Sequence, residues 1–219
     1  MPRLARAVAP GHAHHVTQRG NRRQKTFFRD ADYGLYMSLM KEWCGHHNVD
    51  VWAYCLMPNH VHLIVVPDSE DGLRRAIGEA HRRYTRHINF RKKWRGHLWQ
   101  GRFASYIMDE YHLLTAVRYV ELNPVRARLV KRPEQWAWSS ASAHIAGKND
   151  GLVNVAPMID LVHENWNKYL STPVPENHLE TMRSHERTGR PLGSDDFVSR
   201  LEQKLGRALA PQKPGPKKE

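Results

Sequence analysis

The stretch Asn59-His60-Val61-His62-Leu63-Ile64-Val65-Val66 reads as a β-strand, because four of its last five residues are aliphatic and three of those are β-branched. Side chains at i and i+2 leave a strand by the same face, so His60 and His62 stand side by side. Apolar neighbours then anchor the strand within a sheet. A bare His-x-His is as readily two ordinary strand histidines as anything else. Two neutral imidazoles on one rigid strand are also half of a metal site.

Working outward, Val49 to Met57 predicts a second strand, and Pro58-Asn59 a tight turn joining the two as a hairpin. Upstream, His14 to Gly20 predicts a first strand, closed at Gly20-Asn21. Arg19, Arg22, Arg23 and Lys25 crowd that turn, where a phosphate backbone would dock. Residues 1–13 read as a flexible basic arm. Asp30 predicts an N-cap for a helix running to His47, with Tyr33, Tyr36, Met37, Met40 and Trp43 at helical spacing as its core face. Downstream, Leu73 to Phe90 predicts a basic helix whose Arg82 and Arg83 are either a solvated face or phosphate contacts. Leu98 to Ile107 predicts a further strand, with Arg102 among its aromatics. Asp109 then caps a helix that ends near Asn123, since Pro124 disfavours helical geometry in the residue before it. Strand, helix, strand, strand, helix, strand is the order of an α+β, ferredoxin-like antiparallel sheet with packed helices.

Tyr119 and Asn123 are i and i+4, neighbours on one face of that last helix. A lone tyrosine is by default a packing residue. A phenol and an amide at a forced helix stop can instead address an ion held by His60 and His62. Beyond Pro133, Trp136 and Trp138 predict a loop or short helix closing over the core. Val155 to Tyr169, Glu176 to Glu186 and the Ser194-capped stripe of Phe197, Val198, Leu201 and Leu205 predict a small helical bundle. The boundaries expected are a domain over 1–145, a helical extension over 146–210 that suits DNA binding, and a basic disordered tail over 211–219.

The formal charge of +12 favours a polyanion, and nucleic acid first. Two cysteines, Cys44 and Cys55, are too few for a disulfide framework or a cysteine-rich zinc site. No run is apolar enough to span a membrane, and the N-terminus lacks the apolar core of a secretory leader. A reduced, cytoplasmic setting is expected.

The residues also carry a family resemblance. His60-Val61-His62 resembles the His-hydrophobic-His signature of HUH single-strand nucleases, and Tyr119-Val120-Glu121-Leu122-Asn123-Pro124-Val125 the tyrosine motif of single-tyrosine transposases. With Gln18-Arg19-Gly20-Asn21, Leu98 to Phe103 and Thr188 to Gly193, the chain looks like the REP-associated tyrosine transposases. The resemblance implies Mg²⁺ or Mn²⁺ on His60 and His62, with Asn123 in the place of a third ligand. It implies Tyr119 as the nucleophile, a 5′-phosphotyrosine intermediate with a free 3′-hydroxyl, and REP-type single-stranded DNA hairpins as substrate. A nucleoid-associated monomer or homodimer is expected. Tyr106 and Tyr111 are the rival tyrosines; Tyr111 lies roughly 80° around the helix from Tyr119. Two other readings stay open: a non-catalytic nucleic-acid-binding protein on the same fold, and a hydrolase using water.

Overall fold

The structure is a computed structural model that describes residues 6–210. The expected tail over 211–219 and the first five residues of the basic arm lie outside the described residues. β1 (His14–Arg19), β2 (Val49–Met57), β3 (His60–Pro67) and β4 (Ala104–Ile107) form an antiparallel sheet in the order β2-β3-β1-β4. α1 (Asp30–His46) joins β1 to β2, and α2 (Gly72–Lys92) joins β3 to β4. The chain therefore reads β-α-β-β-α-β, as the sequence predicts, and β3 is an interior strand.

Alternation along β3 assigns its side chains to opposite faces. Val61, Leu63 and Val65 join Val16 under α1 and α2, where Phe27, Tyr33, Tyr36 and Tyr84 pack ring against ring. Ile64 points the other way, into a second core shared with α3 (Glu110–Glu121) through Leu113, Ala116, Val117 and Val120. His60 and His62 share parity with Ile64 and so face α3. Val61, Leu63, Ile64 and Val65 are wholly buried, each worth roughly 1.5–3 kcal/mol. A one-residue slip would exchange the two faces, sending Val61, Leu63 and Val65 toward α3 and both histidines under α1 and α2. On β2 a bulge between Val51 and Ala53 reverses parity. Val51 lies under α1 and α2, as do Tyr54 and Leu56 beyond the bulge, whereas Ala53, Cys55 and Met57 face α3.

Several local expectations change. Arg29, not Asp30, is the N-cap of α1, and Asp32 instead accepts the Phe28 N–H. The strand expected from Leu98 starts only at Ala104, because Gly101 takes a left-handed turn at φ 71° that an extended run excludes. Trp99 keeps one bridge to Gly20. α3 stops at Glu121 and α4 (Asn123–Arg126) follows at once, since Pro124 has no N–H to continue the ladder. The stripe over 155–169 is two helices, α6 (Ala156–Leu161) and α7 (Trp166–Ser171). Extended backbone at Val162 ends the first, and Asn165 caps the second by accepting the Asn167 N–H. The arm is not loose over 6–13: Ala7 and Ala9 are buried, and His14 accepts the Ala9 N–H.

After α5 (Ala141–Ala146), α6 and α7, the chain forms α8 (Glu176–Thr188) and α9 (Asp195–Leu205). Met158, Trp166, Tyr169, Leu170, Leu179 and Met182 extend the core on the α3 side of the sheet. Leu201 packs with Ala7, Ala9 and Ile107. The later helices thus wrap the face that carries the histidines. Among the described residues no helix is long and apolar enough to cross a membrane.

Candidate active site beneath helix α3

Gly20 ends β1 because a side chain there would meet the Gln24 carbonyl at 2.3 Å, and its N–H donates to the Asn59 carbonyl. That contact ties the β1 end to the β2–β3 turn, where Asn59 meets His60. The Asn59 amide donates from Nδ2 to the Arg23 carbonyl at 3.0 Å, which turns Oδ1 toward His60 Nδ1, 2.6 Å away. An amide oxygen only accepts, so His60 carries its proton on Nδ1 and leaves the Nε2 lone pair free.

The His60 and His62 rings lie 5.0 Å apart between centroids, and the Tyr119 ring stands edge-on to His62 at 5.4 Å. The sequence thus names three groups that the fold brings together. The fourth, Asn123, is buried one helical turn beyond Tyr119, at the start of α4. Burial, aided by Arg19, lowers the His60 pKa to about 4. Burial, then the charges of His60 and His15, holds His62 well below its ordinary range. Both are neutral near pH 7, the form that ligates metals.

Two side chains that sequence reasoning passed over complete the cluster. His15, on β1, places Nε2 at 3.0 Å from His62 Nδ1 and Nδ1 at 2.8 Å from the Tyr106 hydroxyl. Its sign in the sequence is parity, since His15, Thr17 and Arg19 alternate onto one face and Thr17 and Arg19 pair with His62 and His60. Arg126 sets its guanidinium 4.7 Å over the Tyr119 ring. Seven residues after Tyr119, it returns to the same helical side.

The rival tyrosines separate by environment. Tyr106 is buried, and desolvation, with the charges of Glu186 and Tyr119, raises its pKa well above 10, so it stays a phenol. Tyr111 is 62% exposed, with its ring against His112 and His178. Tyr119 is half-buried beside His62.

The donor set fits a divalent ion. His62 Nε2 and Asn123 Nδ2 are buried without hydrogen-bond partners, so the Asn123 amide is free to turn its oxygen inward. Two imidazole nitrogens with an amide oxygen suit Mn²⁺ or Mg²⁺. Among the described residues no group of three His, Cys, Asp or Glu side chains is placed to hold a metal.

The expected phosphate-contacting arginines divide in two. Arg19, Arg23 and Arg102 line one cavity of about 600 Å³, with Arg6, Arg187 and Glu186 on its walls. Arg22 adjoins it in a 3₁₀ turn over Asn21–Arg23. Arg6 stacks 3.6 Å over Phe103, and burial, then Arg102, lowers its pKa to about 10. Arg82 and Arg83 lie on α2, which packs on the other face of the sheet, and both pair with Glu79.

The sequence matches the family of IS200-like transposases over residues 9–123, more than half of the chain. A Haemophilus influenzae protein, provisionally named a REP-associated tyrosine transposase, is 28% identical over 116 residues. The match takes in 48% of this chain and 66% of that relative, just under two thirds of its length. A solved structure of a REP-associated tyrosine transposase bound to a REP hairpin superimposes with a TM-score of 0.56 at 21% identity. It covers 71% of this chain and 90% of the other, and shows a shared fold. On the strength of that family match, which spans the histidine strand and the tyrosine helix alike, the chain belongs to the IS200-like transposases.

Proposed function

We propose that the protein is a metal-dependent single-stranded DNA endonuclease and strand transferase acting on REP-type hairpins. The observation that carries this reading is the Tyr119 phenol set edge-on to His62, beside His60, in a chain of this family. A transposase relative and a structural neighbour bound to a REP hairpin support the substrate class.

In this reading His60 and His62, with Asn123, hold Mg²⁺ or Mn²⁺. When bound, the ion supplies Lewis-acid polarisation of the scissile phosphate. The Tyr119 oxygen attacks phosphorus, the Tyr–O–P bond forms and the P–O3′ bond breaks. The phenol gives up its proton and the departing 3′ oxygen gains one, so charge balances. The product is a 5′-phosphotyrosine and a free 3′-hydroxyl, and attack by a 3′-hydroxyl in the reverse direction rejoins DNA without ATP. Arg126 over the ring favours the oxygen's developing negative charge. The arginine-lined cavity beside β1 receives the phosphate backbone of the unpaired strand.

A denaturing gel tests the reading, with a 3′-end-labelled single-stranded REP-type hairpin, Mg²⁺ or Mn²⁺, and Tyr119→Phe and His62→Ala beside the parent protein. A labelled band at protein-plus-DNA mass, lost with EDTA and in both variants, is expected. Cleavage surviving Tyr119→Phe would hand the attack to water or to another tyrosine. Tight binding with neither cleavage nor adduct would leave a nucleic-acid-binding protein.

A further inference from the structure

Both histidines of the proposed ion site bond through Nδ1 to a buried or half-buried partner, and the two partners differ in kind. Asn59 fixes the His60 proton outright, because its amide is itself oriented by the Arg23 carbonyl. His62 has no such partner. Its Nδ1 meets another imidazole, His15, which is 1% exposed and whose other nitrogen meets the Tyr106 hydroxyl. The His15 and His62 rings are stacked 17° from parallel at 5.2 Å, and Tyr106 stands at 83° to His15. All three side chains are at most 2% exposed, so solvent does not supply alternative partners.

Such a chain of hydrogen bonds runs in one of two directions. If Tyr106 donates to His15 Nδ1, then His15 donates to His62 Nδ1, and the proton of His62 sits on Nε2. That arrangement buries the His62 Nε2–H with no acceptor, just as the reverse one does the Tyr106 O–H, so what separates the two is that it blocks the only nitrogen an ion can reach. If instead His62 Nδ1–H donates to His15 Nε2, His15 Nδ1–H donates to the Tyr106 oxygen. The Nε2 lone pair of His62 is then the free one, matching the free Nε2 of His60. Metal-bound histidines characteristically donate their second N–H in this way, and loss of the acceptor costs about 10- to 100-fold in metal affinity.

We propose that His15, backed by Tyr106, is a positioning residue of the ion site: it accepts the Nδ1–H of His62 and thereby keeps the Nε2 lone pair of His62 available to the metal. The inference rests on the reading of His60 and His62 as ion ligands and adds to it a pair of residues on β1 and β4. It assigns His15 no contact with DNA or with the ion.

Two measurements test it. Mn²⁺ binding, followed by electron paramagnetic resonance on the full chain, compares the parent protein with His62→Ala, His15→Leu, His15→Gln and Tyr106→Phe. His15→Leu is expected to weaken binding about 10- to 100-fold. His15→Gln, whose amide oxygen still accepts, is expected to restore it to within a few-fold, with Tyr106→Phe in between. Nitrogen-15 correlation spectra of the parent protein's imidazoles in Mg²⁺ need no substitution, and are expected to show His62 protonated on Nδ1. Equal Mn²⁺ affinity in folded His15→Leu would overturn the proposal while leaving the ion site standing, whereas a His62 protonated on Nε2 in Mg²⁺ would overturn it and take His62 out of the ion site as well. Mn²⁺ binding that is absent from the parent protein, or indifferent to His62→Ala, would remove the ion site and the inference together.

Discussion

Helix α3 separates two buried histidine clusters that are wired differently. Tyr119 and Glu121 are two residues apart, roughly 200° around the helix, so they face opposite ways. On the sheet side His62 bonds to His15, a partner that both donates and accepts. On the far side the Glu121 carboxylate accepts from Ser140 Oγ at 2.5 Å, His144 Nδ1 at 2.6 Å and Trp166 Nε1 at 2.8 Å. His144 stacks on Trp166 at 4.2 Å, and Glu121 is wholly buried. Each cluster leaves one imidazole Nε2 buried and unpartnered, at His62 and at His144. An unpartnered nitrogen therefore does not by itself mark a metal site. What distinguishes His62 is its company: a second imidazole and a half-buried phenol, where His144 has an indole and a carboxylate. The first is the cluster to which the proposed chemistry falls; the second ties the end of α3 to α5 and α7.

Substitution should split the two roles. Glu121→Ala leaves the buried His144 and Trp166 N–H groups without an acceptor, and Ser140 with only its longer bond to the Tyr54 carbonyl; it is expected to cost about 3–5 kcal/mol, read as a fall in the urea midpoint. Adduct formation per folded molecule should change only a few-fold. An unchanged midpoint would mean that the cluster does not hold α3.

Acid sharpens the contrast. Burial lowers His14 to about 4, His15 to about 3 and His81 to about 3. These folded-state values lie below the unfolded value near 6.5, so between them the unfolded chain binds more protons. The stabilisation is complete above about pH 6.5 and is lost as pH falls toward 4, on the order of 1–3 kcal/mol for each histidine. A denaturation midpoint flat from pH 8 to 7 and falling steeply from 6.5 to 4 is expected. Protonation of His14 breaks its bond from the Ala9 N–H, so residues 6–13 should lose hydrogen-exchange protection in the same window. A midpoint unchanged down to pH 4.5 would contradict this.

Arg126 gives the smallest effect. A guanidinium over a tyrosine ring contributes about 0.5–1 kcal/mol, so Arg126→Ala should slow adduct formation about two- to fivefold at saturating metal, with the fold unaltered. A rate unchanged within error would reduce the stacking to packing.

The two clusters also differ in how far the chain announces them. His60 with His62 and Tyr119 with Asn123 are pairs within one element, and the periods of strand and helix bring them to one face directly. The strand order follows from the β-α-β-β-α-β sequence. His15 and Tyr106 sit 47 and 91 residues from the partners they meet, so finding them takes the register of three strands. The Glu121 cluster is less legible still, since it depends on where α5 and α7 come to rest. The break between α6 and α7 hides in a continuous apolar stripe, because Asn165 restarts the helix through a side-chain cap that periodicity does not record. Arg82 and Arg83 look the same in sequence as Arg19 and Arg102, and only the packing of α2 sends them to the other side of the sheet.

The most direct test of the account is the identity of the residue that carries DNA. Trypsin cuts after Arg118 and Arg126, so Tyr119 falls in a peptide that excludes both Tyr106 and Tyr111. Mass spectrometry of the trapped protein–hairpin adduct, digested with nuclease and trypsin, should find the nucleotide mass on the 119–126 peptide. The same mass on a peptide holding Tyr106 or Tyr111 would contradict the geometry of the site.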